Sequence, residues 1–286
     1  MKKSILTTAL MLSLSFGASA QADNKEPRII SAGSTVTELV YALGAEDTLV
    51  AVDLTSRHFV EGTDIPQVGY HRQLSAEGLM ALAPDMLIGS SEMGPETTIS
   101  TLTNAGVDIE IVTTGIDRAD LNTRIDQVAK LTGSEANAPA LKDKVNARLD
   151  VLENQTLDNA PSVIFVMMAE GRPMTVAGKN TPVEAVIELA GAVNPTAEQF
   201  ESYKPMSLEA ILELQPDYIL VSERNWDSMG GFDGILEKMP LLAATPAGQN
   251  HNLIKIPGTA IIGGFGLQSL ELAETLHNTF QAGSAQ

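Results

Sequence analysis

Tyr70 and Arg72 are the residues whose types and spacing point most directly to chemistry. They stand two positions apart in the run GYHRQ, directly after the turn sequence PQVG (66–69). A guanidinium close to a phenol favours the phenolate, and the unperturbed phenol has a pKa of about 10. A phenolate is a hard anionic oxygen suited to ferric iron, including the iron of haem. Tyr70 is therefore a candidate iron ligand. The alternatives are a tyrosine that only packs, and an Arg72 that holds a carboxylate of a ligand.

The sequence carries few signs of catalysis. It contains no G-x-S-x-G, no H-E-x-x-H, no P-loop and no cysteine, so the common nucleophile and nucleotide motifs are missing. The four histidines form no i,i+4 pair and no cluster with carboxylates, which disfavours a metal trap built on several histidines. We therefore expect a binding protein rather than an enzyme.

The elements around Tyr70 alternate between strand and helix. Apolar runs at 29–30, 49–52, 86–88 and 109–112 read as strands, with helices predicted at 35–43, 75–83 and 97–104. Strands that are apolar throughout are typical of parallel sheets covered on both faces. A helical pattern follows, with its longest helix at about 138–154, and the alternation resumes at 162–168. These patterns predict an α/β protein of two Rossmann-like lobes with central parallel sheets, 27–136 and 159–286, joined by a long connecting helix at 137–158.

An internal repeat supports two similar lobes. Residues 74–92 match residues 206–224 at a constant offset of 132, and Ser75, Glu77, Pro84 and Asp85 all recur. Two similar lobes place a ligand in the crevice between them, at the carboxyl ends of the strands.

Glu77 and Glu209 occupy matching positions in the repeat. Each is the third residue of a Ser-x-Glu sequence. An acid in the first turn of a helix interacts favourably with the helix dipole, which is a sufficient reason for one such residue. The dipole effect explains less well why both copies of the repeat keep this glutamate. The position that matches Tyr70 is Ser202, so we expect ligation by one lobe only.

The first twenty residues have the pattern of a cleavable signal peptide. Two lysines precede a largely apolar run at 4–16, and small residues precede Gln21. The mature chain is thus expected to be periplasmic, without stable membrane insertion, and to act as a monomer. The formal net charge of −18 disfavours nucleic acid and anionic lipid as partners and suits a basic protein partner.

GYHRQLSAEGLMALAPD (69–85), followed in the second lobe by SER (222–224) and GGFDG (230–234), resembles the periplasmic haem-binding proteins of bacterial haem ABC importers. The resemblance covers almost the whole mature chain. It implies that haem is the transported ligand, that Tyr70 is the axial ligand of its iron and is bonded by Arg72, and that Arg224 faces the haem. It also implies that Glu77 and Glu209 dock onto arginines of the two subunits of an inner-membrane ABC permease, with Glu92, Glu96 and Asp233 as further candidates.

The sequence departs from some relatives at one point. Those relatives have a histidine after the first strand of the second lobe, where this chain reads MMAEGR (167–172). The resemblance therefore supports one five-coordinate haem. Met167 or Met168 could approach the other face, although the core is the more ordinary place for both. A ferric siderophore or a corrinoid in the same carrier fold is the alternative ligand.

Overall fold

The computed structural model describes residues 27–168 and 173–283. The predicted signal peptide at 1–20 lies outside the described residues. The predicted α/β fold of two lobes is confirmed. Within 27–168 and 173–283, no helix combines the length and the apolar character that crossing a membrane requires.

The sheet of the N-terminal lobe is parallel throughout, with the strand order β2-β1-β3-β4. Its strands are β1 (Ile29–Ala32), β2 (Leu49–Val52), β3 (Met86–Gly89) and β4 (Asp108–Ile111). Its helices are α1 (Ser34–Ala42), α2 (Ala76–Met80), α3 (Glu96–Asn104) and α4 (Arg118–Thr132). The central strand β1 is fully buried, as expected for a parallel sheet covered on both faces, and its one polar side chain, Ser31, is hydrogen-bonded to Thr37 at 2.8 Å.

The C-terminal lobe has five strands in the order β7-β6-β5-β8-β9. They are β5 (Val163–Met167), β6 (Thr175–Ala177), β7 (Tyr203–Pro205), β8 (Tyr218–Ser222) and β9 (Leu253–Ile256). Its helices are α6 (Pro182–Leu189), α7 (Leu208–Leu214), α8 (Glu223–Met229), α9 (Gly231–Lys238), α10 (Pro246–Gln249) and α11 (Leu267–Gly283). Whereas β5, β8 and β9 are parallel, β6 and β7 add an antiparallel pair at one edge.

The connecting helix α5 covers Ala138–Asn154 and packs against both α4 and α11. Val145, Leu149 and Leu152 form its buried stripe, at the three- and four-residue spacing of one helix face. One continuous apolar core extends from β1 to α11 and includes this stripe. The predicted lobe boundaries remain predictions, but the helix that joins the two sheets is part of their shared core.

The internal repeat is visible in the backbone. Ala83 and Gln215, which are 132 positions apart, both end their helical segments with a left-handed φ of 46°. The carboxylate of Asp85 accepts a hydrogen bond from the Arg28 amide at 2.9 Å, and that of Asp217 accepts one from the Ser162 amide at 2.8 Å. The same aspartate thus ties the same strand entrance in each lobe. α2 itself ends at Met80, before the predicted 83.

Candidate functional site

A cleft of about 560 Å³ lies between the two lobes and contains the predicted iron ligand. From the N-terminal lobe it is lined by Tyr70, Arg72, Ser91, Glu92, Thr114 and Ile116. From the C-terminal lobe it is lined by Phe165, Met167, Asn180, Pro182, Tyr203 and the loop Ile261, Ile262, Gly263 and Gly264. The C-terminal wall is largely apolar, and the N-terminal wall carries the two charged side chains, Arg72 and Glu92.

Tyr70 is positioned by a segment that extends the sheet beyond β2. Val68 donates its amide to the Val52 carbonyl at 3.0 Å, and Leu54 donates to the Gly69 carbonyl at 2.7 Å. Gly69 has a φ of 92°, a conformation that favours glycine, and it turns the chain just before Tyr70. The tyrosine side chain keeps 36% of its surface exposed. Its phenol is therefore accessible to a ligand in the cleft.

His71, between Tyr70 and Arg72, anchors this segment. It is buried, and its Nδ1 lies 3.0 Å from a carboxylate oxygen of Asp53, which is also buried. The other oxygen of Asp53 accepts the Gly33 amide at 3.0 Å, so this carboxylate also fixes the turn after β1. His71 and Arg72 are the central residues of a turn in which the Gln73 amide donates to the Tyr70 carbonyl at 2.7 Å. With His71 buried in this turn, Tyr70 and Arg72 on either side of it stay exposed. The sequence analysis missed both Asp53 and His71.

Arg72 makes an ion pair with Glu92 across the N-terminal wall. Both side chains are about half exposed. The resemblance implies a bond between Arg72 and Tyr70. In the described part of the chain, however, the guanidinium pairs with the carboxylate and not with the phenol.

The structure distinguishes the two methionines that the sequence left open. Met168 is buried at 1% exposure in the core of the C-terminal lobe. Met167 is 37% exposed and lines the cleft. Residues 169–172 lie outside the described residues. Only Met167 is therefore in a position to contact a ligand in the cleft.

Tyr203 is a cleft residue that the sequence analysis missed. It lies at the start of β7, one position after Ser202, the residue that matches Tyr70 in the repeat. Burial and the nearby charge of Glu92 raise the pKa of Tyr203 to about 12, although a hydrogen bond with Thr181 opposes the rise. The phenol is therefore a neutral hydrogen-bond donor at neutral pH. A repeat search that allowed a shift of one residue could have found it.

Arg224 lies in the first turn of α8, directly after β8, and is exposed. Among the described residues, those lining the cleft do not include it. Its contact with a ligand remains a prediction.

Glu77 and Glu209 occupy equivalent exposed positions at the starts of α2 and α7. Ser75 accepts a hydrogen bond from the Gly78 amide at 3.4 Å, and Ser207 accepts one from the Ala210 amide at 3.2 Å. Hydrogen bonds from its own backbone amide and from the Ser207 hydroxyl lower the pKa of Glu209. The serines thus cap the helices, and both carboxylates are exposed at the helix starts.

The cleft wall at 261–264 belongs to the C-terminal lobe but is held by the N-terminal one. Thr35 donates to the Gly263 carbonyl at 3.0 Å, and Arg124 donates to the Phe265 carbonyl at 3.0 Å. Gly264 has a φ of 101°, and a Cβ there would lie 2.5 Å from the Thr114 carbonyl oxygen. This glycine therefore permits a close backbone approach between the lobes.

Comparison with known proteins agrees with this architecture. A family model for periplasmic binding proteins matches residues 29–260. The periplasmic haem-binding protein HutB of Vibrio cholerae is 44% identical, with a TM-score of 0.83 and coverage of 89% of this chain and 98% of that chain. The apo form of the periplasmic haem-binding protein RhuT from Roseiflexus sp. RS-1 is 32% identical, with a TM-score of 0.83 and coverage of 92% and 100%.

A more distant curated relative is the vitamin B12-binding protein of Vibrio parahaemolyticus serotype O3:K6. It is 27% identical over 233 residues, which are 82% of this chain and 84% of that protein. The family model spans most of the chain, and the similarity to HutB and RhuT extends over both lobes. This chain therefore belongs to the family of periplasmic binding proteins.

Proposed function

We propose that this protein captures haem in the cleft between its lobes, in the periplasm, and delivers it to an inner-membrane ABC transporter. The observation that carries the proposal is the position of Tyr70. Its phenol is accessible on the same wall of the cleft as Arg72 and Glu92, and the opposite wall is largely apolar. An anionic oxygen for ferric iron and an apolar surface for a porphyrin face are the two features that haem requires.

The C-terminal wall supports the porphyrin part of the proposal. Phe165, Met167 and Ile262 line it, and they offer aromatic, thioether and branched aliphatic surface. Burial of a flat apolar ligand between such side chains is favourable at roughly 25 cal/mol per Å². The solved relatives named as haem-binding proteins, among them one 44% identical to this chain, add support.

Titration with ferric haem, followed by absorbance, tests the proposal. Wild type is expected to show the spectrum of an iron–phenolate complex. Tyr70→Phe and Tyr70→Ala should lose that spectrum and bind at least ~100-fold more weakly, above the effect typical of outer-shell residues. Tyr41→Phe is a suitable control because Tyr41 stacks on Phe59, outside the cleft lining of the described chain. Unchanged affinity and spectrum in Tyr70→Ala would reject the ligand assignment.

A corrinoid is the second candidate, favoured by the relatives named as vitamin B12-binding proteins. A corrinoid brings its own metal coordination, so it has no need of the Tyr70 phenolate. Titration with cyanocobalamin distinguishes the two ligands. Tight binding of cyanocobalamin that survives Tyr70→Ala, together with weak binding of haem, would favour the corrinoid.

We further propose that Glu77 and Glu209 dock onto basic sites of the permease, and that the protein works as a monomer. Two equivalent acids on two similar lobes suit a partner built from two equivalent subunits. Their exposure and their equivalent positions at the starts of α2 and α7 support this assignment.

A further inference from the structure

Glu92 places a negative charge in the cleft, where it would repel an anionic ligand. It follows the end of β3, and its amide is held by the Ser90 hydroxyl at 3.2 Å. Its carboxylate lines the cleft, pairs with Arg72 and lies 3.9 Å from Nε2 of His71. Arg72 and Glu92 are the Lys, Arg, Asp or Glu side chains among the cleft-lining residues of the described chain. Their charges cancel.

This cancellation restricts what can reach Arg72. A guanidinium recognises carboxylates through charge-assisted hydrogen bonds, and here it already has one from within the protein. A ligand that lacks an anionic group gains nothing from displacing Glu92. A ligand that carries a carboxylate can take the place of the Glu92 carboxylate in the ion pair with Arg72. The ion pair is half exposed, so the exchange exposes no buried charge.

Tyr203 stands on the opposite lobe within the same cleft. Thr181, which caps α6, lowers the pKa of its phenol, against the raising effects of burial and Glu92. The charge of Glu92 acts on this phenol, so the two groups are electrostatic neighbours across the cleft. Arg72 from one lobe and Tyr203 from the other thus both bring hydrogen-bond donors to the cleft that Glu92 lines.

We propose that Glu92 stands in for a carboxylate of the ligand, and that Arg72 and Tyr203 form a two-lobe carboxylate-binding pair that selects carboxylate-bearing porphyrins. The inference rests on the proposed function and adds a basis for specificity to it. Tyr70 would recognise the metal, whereas Arg72 and Tyr203 would recognise the acidic edge of the same molecule. A ligand must then displace Glu92 from Arg72, which uncharged analogues cannot do.

The test compares ferric protoporphyrin IX with its dimethyl ester, in the same dilute detergent, by absorbance titration. Both probes offer the same iron to Tyr70, and only the first has free carboxylates. Glu92→Gln should bind ferric protoporphyrin IX about tenfold more tightly, the effect of one freed charge-assisted hydrogen bond. Tyr203→Phe should bind it about fivefold more weakly. Neither variant should change the affinity for the ester by more than about twofold.

Glu96→Gln and Tyr41→Phe are matched controls, because each makes the same chemical change outside the cleft lining of the described residues. An equal gain for both probes in Glu92→Gln would show that Glu92 acts through Tyr70, and no gain for either would show that it does not compete; each result overturns the inference. If Tyr203→Phe alters the iron spectrum, the phenol is an iron ligand and the inference is also wrong. If wild type binds neither probe, the proposed function itself fails.

Discussion

At the scale of single residues, the position of Tyr70 depends on Asp53, a carboxylate that is buried beneath the cleft-lining residues of the described chain and is not one of them. Asp53 is fully buried and accepts hydrogen bonds from His71, Gly33 and the hydroxyl of Ser56. Burial by itself would raise the pKa of Asp53. The hydrogen bonds from His71, Ser56 and Thr55 outweigh it and hold the pKa below its usual value.

Replacement of Asp53 is therefore expected to destabilise the fold. An amide nitrogen cannot accept these hydrogen bonds, so Asp53→Asn should lose about 3 kcal/mol in the free energy of unfolding at neutral pH. Because the folded-state pKa is depressed, this stabilisation is present above the unfolded pKa of about 3.9 and is lost as the pH falls through the folded value. Urea denaturation at several pH values measures the difference. The exposed Asp64→Asn is the control, and equal stability of Asp53→Asn and wild type at pH 7 would contradict the prediction.

The site residues that sequence reasoning found differ in kind from those it missed. Tyr70 was predictable because its chemistry is local: a phenol, a nearby guanidinium and a turn in one short run. His71 was not, because its partner Asp53 lies 18 positions earlier and only the fold brings them together. Tyr203 was not predicted because the repeat aligns the preceding residue, Ser202, with Tyr70.

At the scale of elements, the junction between α1 and α11 joins the lobes beside the cleft. The carboxylate of Glu38 on α1 accepts the amides of Leu267 and Gln268, at 2.7 and 3.1 Å, and so caps the first turn of α11. Burial raises the pKa of Glu38 to about 7, against the lowering effect of these two amides and of the positive Arg124.

This cap predicts a specific pH dependence of stability. Since the folded pKa of Glu38 is raised, the folded state holds a proton that the unfolded state has already lost. Wild type should therefore lose stability as the pH rises from about 4.5 to about 7, by roughly 3 kcal/mol. Glu38→Gln should remove this contribution and leave that of Glu184, whose pKa burial and the neighbouring Glu188 also raise to about 7. The exposed Glu46→Gln should keep both contributions. Thermal unfolding across this range measures both, and an unchanged decline in Glu38→Gln would reject the assignment.

Most elements were predicted from periodicity, and the features that were not predicted have two different causes. β2 and β3 are apolar runs, whereas β4 carries Asp108 and Glu110 and is partly exposed. The parallel order of the strands in this lobe follows from the helices between them. The antiparallel pairing of β6 and β7 was not predicted, because three-residue strands carry too short a pattern to show direction. The cap on α11 was not predicted either, since Glu38 lies 229 positions before the amide that it holds.

At the scale of the whole molecule, the two lobes behave as parts of one packed body. The continuous core runs through α1, α5 and α11, and Arg124 bonds the cleft wall of the other lobe. A shared core resists large hinge opening, because separating the lobes would expose apolar surface. The positions of Glu77 and Glu209 relative to each other are therefore set by the fold, which a paired docking surface requires.

Loss of both glutamates should uncouple transport from binding. In a strain whose haem uptake depends on this protein, Glu77→Ala with Glu209→Ala is expected to abolish uptake while ferric haem affinity stays within about twofold of wild type. Each single variant should retain part of the uptake, because one of two equivalent ionic contacts remains. Added salt should weaken binding of wild type to permease-containing vesicles, since exposed charges separated by about 10 Å or more are screened at 0.1 M. The double variant Glu135→Ala with Glu213→Ala removes the same charge from other exposed positions and should transport normally. Normal uptake by the Glu77 and Glu209 double variant would instead leave these two acids as helix-terminus residues with no part in docking.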